Sequence, residues 1–132
     1  MFVIQDVPHD NSCLFHSVAR FTNLTGPELR KLVVQTCLKY KNALFQGMTF
    51  QTWIEASEGP FDAYVNTIAK DTTWGGYIEL FVLSLSLQRQ IAVYVLDDAH
   101  HAKKLVHIGS SGDPILLLYV QNNHYMALVK QK

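Results

Sequence analysis

An α+β fold is predicted by three features of the sequence. Helical periodicity dominates residues 13 to 87, short apolar and β-branched runs dominate residues 91 to 129, and polar or glycine-containing turns separate those runs. Helices first and mostly antiparallel strands last imply N-terminal helices packed on a C-terminal sheet. The 132 residues, 48% hydrophobic and 11% aromatic, are expected to form a single domain, 1–132, around one core.

Phe2-Val3-Ile4 reads as a short first strand, and Pro8 with Asp10, Asn11 and Ser12 then forces a loop. From Cys13 to about Phe21, Leu14, Phe15, Val18, Ala19 and Phe21 predict a buried helix with Cys13 at its N-terminus. Thr25 followed by Glu28 makes a capping box, with Pro27 in the first turn where its missing N–H costs little. Leu29, Leu32, Val33, Thr36, Cys37 and Tyr40 then line one helical face, so Cys37 is expected in the core. Two shorter helices are predicted between residues 50 and 70, divided at Glu58-Gly59-Pro60, the second burying Phe61, Tyr64, Val65 and Ile68. Trp74-Gly75-Gly76 breaks the pattern before an apolar, leucine-rich helix from about Tyr77 to Leu87. Strands follow at 91–96, 104–108, 115–120 and 124–129.

Eleven Lys plus Arg balance eleven Asp plus Glu, so no global field favours nucleic acid or an anionic membrane. The chain lacks a run of about 18 consecutive apolar residues and the charged-then-apolar layout of a secretory signal. Two cysteines, Cys13 and Cys37, are too few for a disulfide framework and lie outside zinc-type spacing. A reducing, cytoplasmic setting and a monomer are expected, and the chain could be an excised domain of a longer protein.

Two residues stand out chemically. His124 opens the last strand after Gln121, Asn122 and Asn123, where an imidazole can be fixed by a sheet yet reach a cleft. Alternation sends His124, Met126 and Leu128 to one face and Tyr125, Ala127 and Val129 to the other. Cys13 would feel the positive end of a helix and its unpaired N–H groups, which favours thiolate. A Cys–His pair is the minimal acyl-transfer engine. Singly, each has a plain reading, the cysteine as core and the histidine as a hydrogen-bonded strand end, while Asp10-Asn11-Ser12 would make a turn and an N-cap. Asp97, Asp98, His100, His101 and nearby His107 are metal-ligand types, but they fall around a loop between strands, where a solvated hairpin is expected. No metal and no cofactor are expected.

Asp10-Asn11-Ser12-Cys13-Leu14-Phe15 resembles the nucleophile motif of the ovarian-tumour (OTU) cysteine proteases. Trp74-Gly75-Gly76 with Glu79-Leu80 is similar to their middle motif, and Asn123-His124-Tyr125 with Ala127-Leu128 to their histidine motif. All three occur in family order and span nearly the whole chain. The resemblance implies a papain-like fold, a deubiquitinase activity on ubiquitin or polyubiquitin, Cys13 as nucleophile and His124 as base. It implies an oxyanion hole from backbone N–H groups of Asp10, Asn11, Ser12 and Cys13. It also implies a narrow channel for the thin Gly-Gly tail of ubiquitin, with Trp74, Gly75 and Tyr125 as substrate-binding residues. The 97–101 loop could touch ubiquitin. Many family members place Asp or Asn two residues after the histidine, where this chain has Met126. The orienting role is expected to pass to Asp6, with Asp10 as an alternative that more naturally sets the loop, and Asn122 or Asn123 as weaker candidates. The competing readings are a catalytically weak ubiquitin-binding module and a cysteine protease acting on a ubiquitin-like modifier.

Overall fold

Residues 2–120 and 124–130 are described by the structure, a computed structural model. The chain runs β1 (Phe2–Gln5), α1 (Cys13–Ala19), α2 (Gly26–Lys39), β2 (Leu44–Phe45), β3 (Met48–Thr49), α3 (Phe50–Glu58), α4 (Phe61–Ile68), α5 (Tyr77–Leu87), β4 (Ile91–Leu96), β5 (Ala102–Ile108), β6 (Ile115–Val120) and β7 (His124–Lys130). The α+β expectation holds, and the helix-to-strand switch falls where periodicity put it.

Local signals explain most boundaries. Thr25 Oγ1 accepts from the Glu28 N–H and Glu28 Oε1 from the Thr25 N–H, so the predicted capping box opens α2 with Pro27 inside its first turn. Gly59 at φ 86° ends α3, and Pro60 starts α4. At the head of α5 the buried Glu79 carboxylate reaches back to the Gly76 N–H at 2.6 Å and accepts from Tyr64 Oη. The β2–β3 hairpin was not legible. Each strand is two residues long, and its turn uses Gln46 at φ 51° before Gly47 at φ 86°, where Asn or Asp is the usual signal.

The sheet order is β1-β7-β6-β4-β5, antiparallel except for the parallel β4–β6 pair. That exception follows from the β5–β6 connection. Ile91 pairs with both Ile108 and Ile115, so the chain leaves β5 and re-enters on the other side of β4. The crossing turn needs Gly112: φ is 81°, and a Cβ there would lie 2.2 Å from the Gln88 carbonyl oxygen. Helix α1 packs on β7 and β6, α5 packs on β5, and α2 lies against both helices. The core joins Phe15, Leu29, Cys37, Ile54, Ile68, Leu83, Ile91 and Leu117, so Cys37 is buried as expected. Among the described residues no helix is long and apolar enough to cross a membrane. Packing α1 across β7 and β6 brings the start of α1 to the start of β7.

Candidate active site

His124 is buried at 4% exposure, and its nearest acid comes from the neighbouring strand. Phe2 pairs with Lys130 and Gln5 with Ala127. Continuing that register by one residue sets Asp6 opposite Met126, and directly opposed residues share a face of the sheet. The carboxylate that Met126 does not supply therefore enters across the strand pair. Asp6 Oδ1 lies 2.7 Å from His124 Nε2 and also accepts from the Val7 N–H at 2.9 Å. His9 takes the other oxygen, with Nε2 3.0 Å from Asp6 Oδ2, and stacks on His124 with centroids 3.6 Å apart and planes at 17°. Bonds from His124, then from His9 and the Val7 N–H, hold the Asp6 carboxyl well below the usual range. An ionised carboxylate only accepts, so His124 Nε2 carries a proton, and in the neutral ring Nδ1 keeps the lone pair.

Cys13 is the first residue of α1 and 1% exposed. Its Sγ accepts from the N–H of Tyr125 at 3.4 Å, which places it at the head of β7 beside the residue that follows His124. Burial pushes the thiol above its ordinary range, opposed by the N–H groups of Tyr125 and Leu14. This differs from the thiolate expected of a helix N-terminus. A helix of seven residues supplies a small dipole, and desolvation of the charged form outweighs it.

The loop before Cys13 is fixed by a residue that periodicity does not flag. Arg30 lies within the buried face of α2 at 2% exposure, over the Phe15 ring at 4.3 Å. Its Nε and Nη2 donate to Ser12 Oγ at 3.2 and 2.8 Å, Nη2 also to the carbonyls of Asn11 at 3.1 Å and Thr73 at 2.6 Å, and Nη1 to the Ile68 carbonyl at 3.0 Å. Ser12 precedes α1, but its hydroxyl makes no capping bond to the helix. Asp10 sets the turn instead: Oδ1 accepts from the Ser12 N–H at 2.8 Å, Oδ2 meets His16 Nε2 at 3.4 Å, and its carbonyl accepts from the Cys13 N–H at 3.3 Å. Two of the four amides expected to form an oxyanion hole are thus engaged within the loop. The sequence signal for Arg30 was a cation beside Leu29 and Val33 on the mostly apolar face of the helix.

The same network reaches the middle motif. Asn11 Nδ2 donates to the Thr72 carbonyl at 2.9 Å, so Asn11 and Arg30 tie the loop before Cys13 to residues 68–73. Trp74, Gly75 and Gly76 with Tyr119 and Tyr125 line a cavity of about 250 Å³. Gly75 is required by close packing, since a Cβ there would meet Phe15 Cε2 at 3.0 Å and Leu14 Cδ1 at 3.2 Å. Tyr119 and Tyr125 rings lie 4.9 Å apart. The structure therefore gathers Trp74, Gly75 and Tyr125 at one hollow, and the Tyr125 N–H touches Cys13 Sγ. Asn122 and Asn123 lie outside the described residues. The 97–101 segment is a turn between β4 and β5, in which Asp97 Oδ1 accepts from the Ala99 and His101 N–H groups at 2.9 and 2.8 Å.

The OTU-like cysteine protease family model matches residues 8–125. The chain is 35% identical to the OVARIAN TUMOR DOMAIN-containing deubiquitinating enzyme 4 of Arabidopsis thaliana, over 97% of this chain and 43% of that protein. It is 30% identical to the human Ubiquitin thioesterase OTU1, over 83% of this chain and 34% of that one. It thus spans less than half the length of these curated relatives. An OTU domain solved in complex with ubiquitin superposes with a TM-score of 0.73 at 27% identity, over 96% of this chain and 69% of that one. The viral OTU domain protease of Dera Ghazi Khan virus gives 0.81 at 18% identity, over 99% and 82%, and shares the fold. An exposed acid bonded to a buried imidazole, a buried cysteine at the same strand head and a family match enclosing both Cys13 and His124 agree, and the chain belongs to the OTU-like cysteine protease family.

Proposed function

We propose that this chain is a deubiquitinase that cleaves (iso)peptide bonds after the C-terminal glycine of ubiquitin, with Cys13 as nucleophile, His124 as base and Asp6 as the residue that orients His124. The observation that carries the reading is the Asp6–His124 bond at 2.7 Å, because it leaves the basic ring nitrogen available to a thiol at the head of the same strand. Family membership supports the thiol chemistry, and the named activities of the relatives support ubiquitin as substrate. The domain acts as a monomer in a reducing compartment, where Cys13 and Cys37 stay thiols.

Nδ1 of His124 takes the Cys13 proton as Sγ attacks the glycine carbonyl carbon. Imidazolium beside an ionised Asp6 is stabilised, which offsets the burial that disfavours thiolate. The tetrahedral oxyanion is held by amides of the 10–13 loop. The Cys13 N–H, whose bond to Asp10 is the longer at 3.3 Å, turns to it most readily. Collapse breaks the C–N bond as imidazolium protonates the departing lysine amine. Water, deprotonated by His124, then attacks the thioester and returns the thiol. The Gly-Gly tail lies in the hollow of Trp74, Gly75 and Tyr125, whose aromatic walls favour a thin tail over bulkier ones. Since Cys13 is 1% exposed, substrate entry has to part the walls over Sγ.

The test is reaction with ubiquitin bearing a thiol-reactive electrophile at its C-terminus. A covalent adduct with the wild type, absent in Cys13→Ala, is the expected result. Folded protein that forms no adduct with ubiquitin but labels with a ubiquitin-like modifier would replace the substrate. Tight ubiquitin binding with no adduct would replace the enzyme by a binding module.

A further inference from the structure

Metal-ligand residue types in the sequence draw attention to residues 97–101, yet the fold gathers a ligand set elsewhere, from residues 118 positions apart in the chain. One donor atom each from Asp6, His9 and His124 lies within 4.8 Å of the other two, and among the described residues this is the group of three that could hold an ion. Asp6 and His9 side chains are 57% and 67% exposed, so a cation can reach them and they can adjust, whereas His124 is fixed in the sheet. Two imidazoles and a carboxylate around a position open to water are a donor set that suits zinc, at bond lengths of about 2.0–2.2 Å. Asp6 already bridges the rings, at 2.7 Å to His124 Nε2 and 3.0 Å to His9 Nε2. An ion between them replaces those two hydrogen bonds with metal bonds once the exposed His9 ring turns out of its stack on His124, so that the two Nε2 lone pairs converge.

We propose that Asp6, His9 and His124 form an inhibitory site for a divalent transition-metal ion, zinc foremost. The inference rests on the reading of His124 as the base. With zinc on the Nε2 lone pair, the single proton of the neutral ring moves to Nδ1. That nitrogen then donates rather than accepts and cannot take the Cys13 proton, while the carboxylate that would stabilise imidazolium is engaged by the metal. No group is oxidised or reduced, and chelation reverses the change. The catalytic thiol is not a ligand of this site.

Zinc binding is measured by calorimetry on Cys13→Ser protein, which removes the thiol as a competing ligand, and on the same protein carrying His9→Ala. One zinc per chain is expected in the first, with affinity about tenfold or more weaker in the second. Equal affinity in the two, or loss of binding in Cys13→Ser alone relative to the wild type, would overturn the site. In the intact wild type, zinc is expected to stop release of a fluorophore from the ubiquitin C-terminus and a chelator to restore it. Full turnover at zinc concentrations that saturate the calorimetric site would overturn its inhibitory role. Metal-free protein without turnover would instead refute the proposed activity and leave the binding result to decide the site.

Discussion

The two halves of the loop joining β1 to α1 are mounted in opposite ways. Asp6 and His9 contact His124 through exposed side chains, a carboxylate shared between two imidazoles at the edge of the sheet. Residues 10–12 position Cys13 through a buried guanidinium that also holds carbonyls of residues 68 and 73. The acidic mount can therefore be altered with less effect on folding, because Asp6 and His9 return to water at small cost and only the His124 ring N–H is a buried group that loses a partner. The cationic mount cannot, because its removal leaves the buried Ser12 hydroxyl and the Ile68 carbonyl without their donor. One half of the loop is open to solution conditions, and the other is tied to the core through Arg30.

Asp6→Ala separates the halves most sharply. Turnover on ubiquitin with a C-terminal fluorophore is expected to fall about 100–10,000-fold, with ubiquitin affinity and thermal midpoint nearly unchanged. A parallel loss of turnover and melting temperature would show that both halves are structural. Because the Asp6 carboxyl is held well below its usual value, its bond to His124 is fully present above about pH 3.9 and is lost only as pH falls below that. The acid limb of the rate profile is therefore expected not to come from Asp6, and a limb that follows loss of the Asp6 charge would contradict this.

Arg30→Met addresses the other half. It leaves Ser12 Oγ and the carbonyls of residues 11, 68 and 73 without this donor, and urea unfolding is expected to show a loss of about 3 kcal/mol. Arg30→Lys, with one ammonium in place of a fork, should recover part of it. An unchanged unfolding midpoint would mean that Asp10 holds the loop by itself.

The resting thiol gives a smaller effect. Burial raises the Cys13 pKa, so thiolate absorbance should appear only at a higher pH than for an exposed thiol, such as the same protein unfolded in urea. A thiol raised in the folded state stabilises the fold below its unfolded value and loses that contribution as pH rises through its folded value. Titration below neutrality would show instead that an ion pair with His124 overrides burial. The smallest change expected is Trp74→Ala: with Trp74 47% exposed, KM should rise while kcat holds, and a fall in kcat alone would move Trp74 from the proposed channel wall to the support of Cys13.

Legibility in the sequence followed the range of the signal. The helix bounds at 26, 61 and 77 and the strands at 91–96 and 115–120 were readable because capping boxes, Gly-Pro breaks and runs of apolar residues act over a few positions. The β2–β3 hairpin was not, being too short to have a period. Motif order placed Cys13 and His124 at the two ends of the chain, and the substitution at Met126 pointed to an acid elsewhere, with Asp6 preferred.

What only tertiary structure decided is which distant groups meet and what burial does to them. The register of β1 on β7 sets Asp6 opposite Met126, because a shift of one residue would turn its carboxylate to the other face. The stacking of His9 on His124, the Arg30 cradle and the direction of the Cys13 shift arise from contacts between elements. Sequence determined the elements and the reactive residue types, since those depend on local geometry. Packing decided their protonation and partners, since desolvation and hydrogen bonding are properties of the assembled interior.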